Sequence, residues 1–360
     1  MTGLPTTRRT FLASLAAASA APRLGWAAVG NPAYIAAAKT PEGEYVLAGL
    51  DLAGGETFRL PLPARGHAGA AHPTRAEAVA FARRPGTFAL VIDVATGTTI
   101  TELTAPPGHQ FNGHGFYADG GARLLTVEQE AKGSAGQIGL WDVDSGYTRI
   151  GAFPTQGIGP HDAKLMPDGQ ALVVANGGIE TDAGGRTKLN IPDMRPSLAY
   201  LSLDGTLLEE VRLAPELRFN SIRHLALGSD GLVGFAMQWE GEPGLAKPLL
   251  GLHRRSDAPV LATAPLGEQL AMKGYAGSIA FRADGSEVAI TSPKGGRLHR
   301  FAPEGSFIAP QRRSDVSGLA SHPEGLLASD GFGGLILVRP QGTRPLTRHR
   351  LHWDNHIVAL

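Results

Sequence analysis

The sequence predicts an all-β fold, a seven-bladed β-propeller whose ring is closed by the C-terminal strand joining the N-terminal blade. Three observations carry that expectation. An apolar alternating stretch ending in a turn recurs seven times, an acid-glycine pair stands upstream of most copies, and the two chain ends are complementary parts of one blade.

Along the chain, the first element is an address rather than structure. Thr6-Thr7-Arg8-Arg9-Thr10-Phe11-Leu12 places a twin arginine before a short apolar stretch, Phe11 to Ala21. Ala18-Ser19-Ala20 and Trp26-Ala27-Ala28 offer cleavage sites, and the stretch is too short to span a bilayer. Residues 1–28 are therefore expected to be a twin-arginine signal peptide and residues 29–360 a single propeller domain in the periplasm. The lysine usual after the apolar start is replaced by Ala13.

Composition narrows the function classes. Of 360 residues, 48 are glycine and 26 proline, 42 % are hydrophobic and only 18 % charged, so the chain is neither disordered nor a charged helical array. No cysteine is present, which excludes disulfides, thiolate catalysis, thioether haem attachment and thiolate-ligated iron–sulfur clusters. Removing residues 1–28 takes three arginines and no acid from 33 basic and 33 acidic side chains, leaving three acids in excess. Such a surface offers no footprint for nucleic acid, and no run of eighteen apolar residues provides a membrane span.

The repeated stretch ends at Gly54, Gly97, Gly146, Gly205, Asp257, Gly305 and Gly342, between 37 and 59 residues apart. Its alternation predicts half-buried strands. Asp119-Gly120, Asp168-Gly169, Asp230-Gly231, Asp284-Gly285 and Glu324-Gly325 each separate two apolar stretches, which predicts two-residue hairpins with positive φ at both turn positions. Each unit then reads as strands A, B, C and D. Ala33–Ala38, Tyr45–Asp51 and Thr57–Leu62 supply B, C and D without an A, and His356–Leu360 supplies an A with nothing after it.

Aligning the A strands, which line a propeller's channel, sets histidine against histidine. Gly66-His67 matches Gly113-His114, and Pro160-His161-Asp162, Arg223-His224 and Asn355-His356 follow, so five of the twelve histidines begin channel strands. His161 stands two residues and His224 one residue earlier relative to the turn, and on a regular strand one step turns a side chain to the opposite face. Ser278 and Gly318 occupy the corresponding places in the remaining blades. The B–C loops open on the same mouth and carry Glu128, Glu180 and Lys294.

Four uses fit this cluster. Neutral imidazoles with carboxylates suit zinc, copper, iron or nickel. The histidines can instead hydrogen-bond neighbouring blades, line a mouth for an organic anion or a partner protein, or serve acid–base catalysis such as lactone hydrolysis. Elsewhere, His72-Pro73 and His322-Pro323 read as turns, Gly331-Phe332-Gly333-Gly334 as a B–C turn, and His349, His352 and Trp353 as a solvated outer strand. Neither Gly-x-Ser-x-Gly nor His-Glu-x-x-His occurs.

Taken together, Arg83-Arg84-Pro85-Gly86-Thr87-Phe88, Gly113-His114-Gly115, Gly159-Pro160-His161-Asp162, Asn176-Gly177-Gly178-Ile179-Glu180-Thr181, Ser221-Ile222-Arg223-His224 and Trp353-Asp354-Asn355-His356 resemble an exported bacterial family, the "domain of unknown function 1513". The resemblance covers nearly all of the mature chain. It implies a YVTN- or WD40-like periplasmic propeller whose relatives accompany imelysin-like and di-haem peroxidase-like proteins, hence a role in iron acquisition; it supplies no reaction. Only Trp141-Asp142 matches the WD dipeptide.

The leading expectation is a histidine-lined mouth binding iron or copper through His67, His114, His161, His224 and His356. Glu128, Glu180 and Asp162 are expected to complete or orient the ligand set, with Arg223 and Lys294 as further cofactor-binding candidates. The alternatives are a platform for a periplasmic iron- or haem-handling partner, and a propeller hydrolase or oxidoreductase.

Overall fold

The computed structural model describes residues 24–82, 86, 88–184 and 187–360. The twin arginine Arg8-Arg9, the first cleavage site, and Arg83, Arg84, Pro85 and Thr87 lie outside the described residues. The segment expected as a second cleavage site, Trp26-Ala27-Ala28, lies in the 3-10 turn Trp26–Val29, with the Trp26 indole donating to the His72 carbonyl (2.8 Å).

The described strands form seven four-stranded antiparallel sheets arranged as a ring. In chain-order numbering the inner strands are β4 (Gly66–Ala71), β8 (His109–Ala118), β12 (Pro160–Leu165), β16 (Asn220–Leu227), β20 (Ser278–Phe281), β24 (Val316–His322) and β28 (His352–Ala359). Each packs beside the next, and β28 packs beside β4, which closes the circle. Six blades are built from consecutive strands. The seventh takes β28 as its inner strand and continues with β1 (Tyr34–Lys39), β2 (Tyr45–Leu50) and β3 (Glu56–Leu62). Among the described residues one short α-helix is present, α1 (Leu266–Ala271), and no helix is long and apolar enough to cross a membrane.

The hydrophobic core is divided among seven wedges, one between each pair of neighbouring blades. This division revises one expectation. The repeated stretches are buried on both faces rather than half-buried, as in β2, β6 (Ala89–Asp93), β14 (Ser197–Ser202) and β18 (Leu250–His253). A neighbouring blade covers each side of the sheet, so polar residues at alternate positions need internal partners. Arg300 meets Glu287 through two hydrogen bonds of 2.8 and 2.6 Å, and His253 lies between the Tyr200 hydroxyl (2.7 Å) and the Asp257 carbonyl (3.0 Å). The alternating, solvated pattern belongs instead to the outermost strands, such as β23 (Phe307–Arg312).

The turns also differ from expectation. Only Asp119-Gly120 has positive φ at both residues (51° and 63°); in Asp168-Gly169, Asp230-Gly231 and Asp284-Gly285 the glycine alone is left-handed. There the aspartate accepts backbone hydrogen bonds inside a longer turn, as Asp168 does from Gln170 (2.9 Å). At the last acid-glycine pair, Gly325 already pairs with His322, leaving Pro323-Glu324 as the turn. The predicted solvated strand at His349, His352 and Trp353 is corrected as well. The outer strand β27 (Gly342–Arg348) ends before these residues, and Trp353 is buried near the start of the inner strand β28.

Closure rests on β28 lying against β1, from Tyr34↔Ala359 to Lys39↔His352, with Ile357, Trp353, Tyr34 and Leu327 in one wedge. Deleting residues 356–360 exposes the edge of β1 and removes Ile357 from that wedge. The expected result is a loss of roughly 3–5 kcal/mol, seen as one cooperative transition moved to lower temperature. A thermal unfolding curve identical to that of the full chain would refute the closure role.

Candidate metal centre

Six inner strands are irregular in their pairing, β24 between Val316 and Leu319 and the five that carry the histidines. Pairing jumps from Gly66 to Gly69 in β4, Phe111 to Gly115 in β8, Pro160 to Asp162 in β12, Ile222 to His224 in β16 and Trp353 to Ile357 in β28. A bulge adds a residue to one strand and resets which face the next side chain takes. Histidines at unequal distances from their hairpins therefore reach the same axis, and counting back from the turn misplaces His161 and His224. Glycine makes room for one of these bends. Gly113 has φ 91°, and a Cβ there would stand 2.6 Å from the His67 ring.

His67, His114, His161, His224 and His356 converge as buried side chains. Ring centroids lie 4.5 Å apart for His161–His224, 4.6 Å for His67–His356 and for His224–His356, and 5.0 Å for His67–His114. Two overlapping triads, His67/His114/His356 and His114/His161/His224, each place one nitrogen per ring within 4.8 Å of the others. These groups could hold a metal ion. The two other blades contribute Ser278 and Gly318, and a Cβ on Gly318 would lie 2.5 Å from Ser329 Oγ.

Two carboxylates stand against the imidazoles. Asp162 Oδ1 is 3.3 Å from His114 Nδ1, and its Oδ2 accepts the Leu225 amide at 3.0 Å. Asp354 Oδ1 is 3.7 Å from His67 Nδ1. A carboxylate at Nδ1 selects the tautomer that leaves Nε2 bare as an acceptor or ligand. His114 Nε2, His224 Nδ1 and His356 Nε2 are buried and meet no hydrogen-bond partner among the described residues. Each carboxylate has its own cation: Lys164 Nζ is 3.8 Å from Asp162 and Arg65 Nε 2.6 Å from Asp354. Burial opposes the charge on Asp162, but Lys164, His114 and the Leu225 amide outweigh it and hold the carboxyl below the usual range.

The other sequence candidates go elsewhere. Glu128 is fully buried in a bidentate pair with Arg149 (2.8 and 3.0 Å), with Gln137 and Thr126 completing its shell, so its oxygens do not reach an imidazole. Glu180 stands on the loop after β13 (Ala171–Asn176), its amide donating to Asn190 Oδ1 at 2.7 Å. Arg223 occupies the β16 bulge, buried, with Nη2 3.5 Å from Glu240. Lys294 caps the Tyr275 ring at 4.4 Å. Sequence reasoning missed Asp354, Lys164 and Arg65. For Asp354 a signal was present, an acid two residues before His356 at the head of an inner strand, parallel to Asp162 beside His161. His72 and His322 flank turns, His322 as the last residue of β24 rather than in the turn itself, and each Nδ1 accepts a nearby backbone amide.

Burial first, and then the positive charge that neighbouring imidazoles can carry, pushes His224 and His356 well below the ordinary histidine range. The unfolded chain binds these protons near pH 6.5 and the fold does not, so stability rises with pH across that interval. Metal-free protein is expected to hold its full melting temperature above pH 6.5 and to lose it progressively below. The His224→Gln, His356→Gln double variant should flatten that dependence, measured by circular dichroism in buffers from pH 8 to 5. An equally steep fall in the variant would assign the acid sensitivity to other groups.

No curated protein matches the chain. Among solved structures it is similar to hydrazine synthase of Kuenenia stuttgartiensis, at 13 % identity over 88 % of this chain and 95 % of that one, with a TM-score of 0.58. At that identity the likeness shows a shared fold. A protein of unknown function from Bacteroides caccae is 12 % identical over 78 % of this chain and 94 % of that one, with a TM-score of 0.48. A family model described as "Protein of unknown function (DUF1513)" matches residues 60–360, and the chain belongs to that family.

Proposed function

We propose that this protein is a periplasmic metal-binding propeller, holding iron or copper in the five-histidine cluster as an accessory part of metal acquisition. One observation carries the reading. His114 Nε2, His224 Nδ1 and His356 Nε2 are buried without partners inside one ring of imidazoles. A buried polar atom left unpaired costs about 1–3 kcal/mol, and an ion held by either triad, His67/His114/His356 or His114/His161/His224, relieves those that ligate it. The donor set is neutral nitrogen with no thiolate, which suits iron or copper in their divalent states. Ion–nitrogen bonds of about 2.1 Å require only small inward rotations of the rings. His114 belongs to both triads and its tautomer is fixed by Asp162, so it is the central ligand.

Elemental analysis of untagged mature protein is expected to find close to one iron or copper per chain, released by chelator and restored on re-addition. The His114→Ala, His161→Ala double variant should retain less than about a tenth of that metal with its β-sheet spectrum unchanged. A wild-type chain that neither carries nor takes up iron, copper or zinc would overturn the proposal.

The location rests on the Arg8-Arg9 leader. Changing both arginines to lysine should leave the precursor in the cytoplasm while wild type appears in the periplasmic fraction. Equal export of the two would remove the twin-arginine route from the reading.

A further inference from the structure

Below the histidines the channel widens into a cavity of ≈ 280 Å³. His114, His224 and His356 form its roof, and small residues such as Gly69, Gly115 and Ala280 line its wall. Each of those three histidines has a buried ring nitrogen that meets no hydrogen-bond partner among the described residues. Lys164, the Asp162 carboxylate that it faces, and the hydroxyl-bearing Ser278 and Ser321 also line the cavity. The Lys164 side chain is 38 % exposed, so this space communicates with solvent.

Charge balance makes the cavity more than a gap. A divalent ion among neutral imidazoles adds two positive charges to a buried site. Asp162 already faces Lys164, and Asp354 faces Arg65, so each carboxylate has a cation beside it before any ion is added. An uncompensated buried charge is costly, and among the described residues only these two carboxylates stand against the rings. Lys164 retains N–H donors beyond its contact with Asp162.

Building on the metal-site reading, we propose that the loaded centre takes an exchangeable small anion from the channel, a carboxylate or carbonate. The anion ligates the ion from the cavity side and is held by the Lys164 ammonium. This gives the centre a second ligand-binding function and makes Lys164 its positioning residue. Leu225, Leu227, Phe281 and Leu319 line the cavity as well and limit it to about the stated volume, which admits a small planar anion.

The test uses the full mature chain loaded with copper(II), its stoichiometry measured before any anion is added. Sodium azide, a small anionic probe, is expected to produce a new charge-transfer absorption that saturates, and acetate or bicarbonate should compete with it. Lys164→Met should weaken azide binding about tenfold per loaded copper, and Lys164→Arg should restore it to within about twofold. Stoichiometric copper with no response to azide, or equal azide affinity in wild type and Lys164→Met, would overturn the anion site and leave the metal site standing. The first measurement is repeated with iron and zinc, and a chain that loads none of the three metals would overturn both.

Discussion

The backbone pairing of β28 with β1 is the constraint on which the rest depends. Inner and outer strands of that blade come from opposite ends of the chain, so the ring exists only when residues 34–39 and 352–359 meet. The same pairing completes a core wedge around Trp353 and Ile357 and brings His356 and Asp354 to the channel. Fold closure and assembly of the histidine cluster are thus one event. A chain that fails to close loses a wedge, an edge and a ligand together.

Within the closed ring, bulges do the positioning. Regular strands of seven blades would present side chains at fixed heights, each facing alternately in and out. The extra residues at His67, His114, His161, Arg223 and the segment before His356 turn the inner strands so that imidazoles crowd the axis. Glycines permit the crowding where no side chain fits, at Gly113 against His67 and at Gly318 against Ser329. The cost is polar atoms held away from water, which a purely structural ring would avoid by using apolar residues there.

The electrostatic design is layered. Neutral imidazoles form the centre, two carboxylates orient a nitrogen of His114 and His67, and Lys164 and Arg65 balance those carboxylates. Other ion pairs, Glu128–Arg149 and Glu287–Arg300, lie within single blades, the first reaching across the strand Ala135–Asp142 that separates its partners. Equivalent chemistry in sequence thus serves two purposes, separated by whether it falls on an inner strand or further out in the blade.

The sequence by itself determined the number of blades, the order of their strands and the split blade at the termini. Those features follow from hydrophobic periodicity and turn residues, which are local. It also picked the five histidines, because their recurrence at the heads of inner strands is a pattern along the chain. The tertiary structure decided what the pattern could not: that His161 and His224 reach the axis despite their offsets, that Glu128 faces Arg149, and that Asp354 serves His67. The reason is physical. A bulge and an interblade partner are set by pairing between distant segments, so the direction of a side chain is fixed only when its neighbours are in place.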